Sequence, residues 1–155
     1  MAGLLEIVFE DVTQEVMLPF LERVVSDAES VVSAECSEDF WVWKNGQIQL
    51  DAISAAIEFD EDLSVLVNVR GLRFMGVIVN SALIRVLKYQ GKFDLDISFD
   101  EHDFWLCGVG AVNALLAYSK AAAKKFEFVS CYFGMEPASD EATRFFTNDI
   151  LGPLK

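Results

Sequence analysis

The chain has 155 residues, enough for one domain over 1–155 whose core needs no disulfide or metal staple. Twenty-five Asp and Glu against twelve Lys and Arg give a net charge of −13, which argues against nucleic acid or an anionic membrane as partner, since either needs a cationic footprint. Hydrophobic residues make up 53%, above the usual range of about 45–50%, so either the core is rich or apolar surface meets a partner.

From the N-terminus, nothing has the cationic start of a signal peptide, and the longest apolar run, "MGVIVNSALI", is too short for a membrane helix. Residues 4–9 read as a strand. Apolar residues from Val16 to Val32 then recur at helical spacing, which predicts a helix over 12–34, kinked at Pro19 or starting there. "DFWVWKNGQIQL" predicts a hairpin, 39–44 with 47–51, because Asn45-Gly46 can take the two left-handed conformations of a tight turn. Segments 54–59 and 63–69 read as strands joined by the acidic tip Asp60-Glu61-Asp62. The stretch 73–89 reads as a mostly buried helix, with Arg85 and Lys88 late in it and Gly91 just past its end.

In 93–100 the apolar Phe93, Leu95, Ile97 and Phe99 alternate with Asp94, Asp96, Ser98 and Asp100: a strand with one dry face and one wet acidic face. The period changes at Asp100, which reads as the N-cap of a helix running to Lys125, with Asp103 as its capping-box acid. Segment 126–133 is a further strand, Ser139 opens a short last helix, and the tail is a loop. The class is therefore α+β: a mixed, mostly antiparallel sheet with about four helices packed on it.

No catalytic constellation stands out. Asp94 and Asp96 have a D-x-D form that could hold a divalent ion, but two carboxylates also arise on any solvated strand face. The single histidine, His102, excludes a multi-histidine zinc site and sits between acidic neighbours. Gly108, Gly110 and Asn113 imitate part of a dinucleotide fingerprint, but their spacing puts both glycines inside a helix. Cys36, Cys107 and Cys131 are odd in number with no paired spacing, which fits a reducing cytosol; Cys107 and Cys131 read as buried.

The remaining candidates are surface features. Trp41 and Trp43 could anchor an interface or be covered by the fold itself. Glu38, Asp39, Asp60, Glu61 and Asp62 would form its acidic rim, with Asp94 and Asp96 as further partner-binding candidates. The reading that follows is an acidic cytosolic inhibitor that docks on a basic protein and blocks it, with no cofactor and no metal. Its physical type is that of immunity proteins against nuclease-like toxins, or of nucleic-acid mimics; this is an analogy of type, carried by no motif. The alternative readings are a small metal-dependent enzyme or ligand-binding domain using Asp94, Asp96 and His102, and a subunit of a homo-oligomer.

Overall fold

The computed structural model describes residues 3–154. Among these, eight strands form one sheet, and every pairing in it is antiparallel. The elements run β1 (Leu4–Val12), α1 (Gln14–Ser26), β2 (Ser30–Cys36), β3 (Trp43–Lys44), β4 (Gln47–Ile48), α2 (Leu50–Glu58), β5 (Leu63–Phe74), β6 (Val77–Tyr89) and β7 (Lys92–Asp100). They continue with α3 (Glu101–Trp105), α4 (Ala111–Phe126), β8 (Ser130–Met135), a 3-10 turn (Glu141–Thr143), β9 (Arg144–Thr147) and β10 (Ile150–Leu151). The sheet order is β10-β9-β8-β1-β7-β6-β5-β2, and β3 and β4 form a separate small ribbon. The α+β class is as the sequence implies, with four α-helices on an antiparallel sheet.

One face of the sheet is the core. Opposed residues put Phe9 beside Leu95, Ile7 beside Ile97, and Ile84 beside both Ile97 and Val67. All four helices contribute to this side. Phe20 of α1 meets Phe9 edge-on at 4.9 Å, Phe104 of α3 lies 5.7 Å from Phe99, and Tyr118 of α4 lies 5.1 Å from Phe74. Ile53, Ala56 and Ile57 of α2 join the same cluster. The other face carries Val8, Asp96, Arg85 and Leu66 side by side, and Glu6, Ser98, Leu83 and Asn68 in the next row. Among the described residues no helix packs there; the chain after β8 folds over its β1–β8 corner, seating Ala138 against Val8 and Tyr132.

The chain β5–β6–β7 is a meander with tight turns at Met75-Gly76 and Gln90-Gly91, and both residues of each turn have positive φ. Asn45-Gly46 has the same geometry in the β3–β4 ribbon, as expected, although the ribbon is shorter than 39–51. The helix predicted over 73–89 is instead the end of β5, a turn and β6. That strand shows apolar residues on both faces, because Leu83 and Leu87 are half-buried on the open side, and this hides the two-residue period.

The predicted helix 12–34 ends at Ser26, and Val31 and Val32 belong to edge strand β2, where β-branched side chains fit well. Pro19 lies within α1 and does not start it. The strand predicted at 54–59 is part of α2, whose buried Ile53, Ala56 and Ile57 follow helical spacing. The helix predicted from Asp100 to Lys125 is broken at 106–110, and Gly108, at φ +94°, takes a conformation that a helix does not use. Both glycines of the apparent fingerprint therefore lie between two helices, at the break and at the N-cap of α4. Phe126 closes α4, and β8 starts at Ser130. The last predicted helix is a single 3-10 turn followed by β9, which holds Phe145 and Phe146, and β10 runs into the start of the tail that was expected as a loop.

Candidate functional site

Register fixes what lies at each end of the sheet. Cys36 opposes Val65, Leu63 opposes Lys88, Tyr89 opposes Lys92, and Val12 opposes Phe93, so these four pairs mark one end. The loop after β2, the loop between α2 and β5, the β6–β7 turn and the end of β1 all emerge there. Ser37 and Ser64 exchange hydrogen bonds: the Ser37 N–H donates to the Ser64 carbonyl, and the Ser64 N–H to the Ser37 hydroxyl, both at 2.9 Å. Phe40 packs edge-on against Phe59 at 5.3 Å. These contacts hold the Glu38-Asp39 loop beside the Asp60-Glu61-Asp62 tip.

Trp41 stands out of this junction at 80% exposure, while Val42 beside it is buried at 2%. Trp43 parts from Trp41: it is half-buried and packs against the core. A groove of about 530 Å³ runs along this loop, lined by Glu35, Glu38, Asp39, Trp41 and Trp43 among others. The side chains of Glu38, Asp39, Asp60 and Glu61 form no hydrogen bond or ion pair among the described residues and are exposed. Asp62 is committed, accepting the Gln90 N–H at 2.8 Å and so tying the tip to the β6–β7 turn.

Asp94 reaches the same end from the open face. Its carboxylate accepts the Asp11 N–H and the Tyr89 hydroxyl, each at 3.1 Å. Burial and the Asp94 charge hold the Tyr89 hydroxyl in its protonated form by raising its pKa. Asp96 is different. It was expected on a wet face but is 6% exposed, because β7 is a central strand and Val8 and Arg85 flank Asp96 from the neighbouring strands. Its Oδ2 accepts two hydrogen bonds from Arg85, from Nε at 2.9 Å and from an Nη at 2.7 Å. Burial raises the Asp96 pKa; Arg85 pulls it down, and the charges of Glu136 and Asp94 push it up again. The same contact holds Arg85 more firmly charged. Glu6 and Glu10 on the same face are also raised, by burial first and by neighbouring carboxylates after it.

The metal alternative finds no convergent geometry. His102 lies beyond the opposite end of β7 from Asp94, where the strand's last residue, Asp100, is already roughly 13 Å from Asp96 by strand rise, and Asp94 and Asp96 already spend oxygens on protein donors. Among the described residues, no group of three His, Cys, Asp or Glu side chains is placed to hold a metal ion. Asp100 is the N-cap expected, its Oδ1 accepting the His102 N–H at 2.7 Å. Asp103 makes no capping box; it accepts from the Asn80 amide at 3.3 Å. Cys107 is exposed, against expectation, because it sits in the break between α3 and α4; Cys131 is buried and Cys36 half-buried.

Sequence reasoning missed Glu10, Asp11 and Tyr89 at the acidic end. Reading Gln90-Gly91 as a hairpin turn would have placed Tyr89 and Asp94 together. It also missed Lys88, a buried lysine on the core face whose ammonium donates to the Ile57 carbonyl at the C-terminus of α2, at 3.2 Å. A cation is favoured there by the helix dipole.

No curated protein matches the chain. A chain of the crystal structure of the toxic C-terminal tip of CdiA from Pseudomonas aeruginosa in complex with immune protein is similar to it, at 32% identity, with a TM-score of 0.87 and complete coverage of both chains. The profile of the PABL017 Cdi1I immunity proteins matches residues 3–150. Nearly the whole chain is covered, from the start of β1 to β10, and the chain belongs to the PABL017 Cdi1I immunity protein family.

Proposed function

We propose that the chain neutralises a CdiA-type toxin tip by binding it stoichiometrically, and that the bound surface is the acidic end of the sheet around Trp41. The observation that carries the site is the pairing of an exposed indole with four carboxylates that have no structural partner. An exposed tryptophan ringed by polar groups is the usual anatomy of an interface anchor. Carboxylates left free of internal bonds are available to a cationic target and speed the encounter with it. The toxin surface that fits is therefore basic. Glu38, Asp39, Asp60, Glu61, Asp62 and Asp94 steer it, Trp41 anchors it, and Trp43 backs the loop from inside. Asp96 contributes through Arg85 and the local field, since its own side chain is enclosed.

The inhibitor acts as a binder without turnover, and it meets the toxin in the cytoplasm. Unpaired cysteines support that compartment. Among the described residues, no helix is long and apolar enough to cross a membrane. Titrating a fixed amount of active toxin tip with the purified chain tests the proposal. Toxin activity should fall linearly to zero at equimolar chain. Loss of activity at a small fraction of an equivalent would mean that the chain modifies the toxin enzymatically, and no complex at micromolar concentration would end the reading.

A further inference from the structure

The opposite end of the molecule holds a cavity of different chemistry. It lies between α1, the β5–β6 turn and α4, with a volume of about 310 Å³. That is at the small end of the range for ligand pockets, roughly 300–1,000 Å³. Its floor is apolar and buried: Phe20, Tyr118, Ala122 and Phe126. Its rim carries Arg23, Arg73 and Lys125, with Met75 standing above.

The charge of this lining runs against the composition of the chain. Acids outnumber bases about two to one overall, yet three cations and one carboxylate line the cavity. The carboxylate, Asp27, is already engaged by the Arg23 Nε at 3.3 Å and the Tyr118 hydroxyl at 3.4 Å. Among the described residues, Arg73 and Lys125 have no carboxylate within ion-pair distance. Arg73 and Lys125 are exposed, and the Lys125 ammonium stands 5.4 Å from the centroid of the Phe126 ring, so the cations adjoin the apolar floor. A ligand with an apolar body and an anionic head engages both at once, because guanidinium and ammonium groups next to a dry wall bind an anion more strongly than they would in open water.

We infer that this cavity binds a small amphiphilic anion, an aromatic or aliphatic body bearing a single carboxylate, sulfonate or phosphate group. The body lies on Phe20 and Phe126, and the head meets Arg73 and Lys125. The inference is independent of the toxin reading, since it concerns other residues and another partner.

The probe is 8-anilinonaphthalene-1-sulfonate, added to the full chain at neutral pH and followed by fluorescence. The expected result is saturable binding of one probe per chain, weakened about tenfold in Arg73→Met/Lys125→Met, where two charge-assisted contacts are lost. Ala121→Trp, on the exposed rim, should block the mouth without changing the charge. Octanoate should displace the probe, and octanol at the same concentration should not. Near-ultraviolet circular dichroism of each variant must match the parent, so that a loosened core is not read as binding. Non-saturable binding, equal affinity in the charge variant, or displacement by octanol as effective as by octanoate would overturn the inference.

Discussion

The carboxylates at the two ends of the sheet do different work. At the α3 end several are consumed by the fold. Asp100 caps α3, Glu101 accepts the Gly3 N–H at 2.8 Å, Asp103 accepts from Asn80, and Asp140 caps the 3-10 turn by accepting the Ala142 N–H at 3.1 Å. At the other end Glu38, Asp39, Asp60 and Glu61 hold nothing. They are free charges on loops that are themselves fixed by the Ser37–Ser64 exchange and the Phe40–Phe59 contact. The comparison separates a net charge from its use. Charge that builds the fold is spent locally, and charge available to a partner is drawn from what is left over, of which Glu38, Asp39, Asp60 and Glu61 lie on the loops around one exposed tryptophan.

If that separation is right, the largest effect belongs to Trp41. Trp41→Ala should weaken toxin binding by about 30-fold or more, in the range of interface anchors. At 80% exposure the same change should alter folding stability by no more than about 0.5 kcal/mol, measured by denaturant unfolding. Next comes Asp60→Asn/Glu61→Gln/Asp62→Asn, which keeps an acceptor for the Gln90 N–H while removing three charges. The association rate should fall about tenfold at low salt, with little change in dissociation, as read by stopped-flow mixing. Neutralising Asp100 and Asp103 instead should leave that rate almost unchanged and lower stability.

A smaller effect concerns the open face. Glu6, Glu10 and Asp96 have raised pKa values in the folded chain, so the folded state takes up protons more readily than the unfolded one. Their contribution to stability is fully present below the ordinary carboxylate range and is lost as pH rises through the raised values. Lowering the pH from 7 towards the ordinary carboxylate range should therefore raise the thermal midpoint, where acid usually destabilises. Glu6→Gln keeps an acceptor for the Ala138 N–H, at 2.7 Å in the parent, and should be more stable than the parent at pH 7 and less sensitive to pH. The smallest effect is a null one: Arg73→Met/Lys125→Met, at the cavity far from Trp41, should change toxin affinity by less than about twofold, because distant sites act independently.

The sequence carried the fold class and the inhibitor function further than it carried the individual elements. Immunity-protein function followed from an acid excess without a catalytic constellation, and the family match agrees with it. Strict alternation made β7 legible, and Asn45-Gly46 made its turn legible, because each signal is local. β6 was not legible. A strand that keeps Leu83 and Leu87 half-buried on the open face and Lys88 buried on the core face has no clean binary pattern, and the glycine at 91 serves a helix end and a hairpin turn equally well. At the candidate site the residue types were readable, but their assembly was not. Phe40 meeting Phe59 and Asp62 meeting Gln90 are contacts between distant segments, set by a sheet order that no local pattern encodes. The separate fates of Trp41 and Trp43, and of Asp94 and Asp96, depend on the same tertiary packing.

Amide hydrogen exchange of the chain, alone and saturated with the toxin tip, tests the central claim most directly. The account predicts slowed exchange over 37–43 and 59–62, with amides around Met75 and along α4 unchanged. Protection confined to α4 and the β5–β6 turn, with the Trp41 loop exchanging as in the free chain, would contradict it.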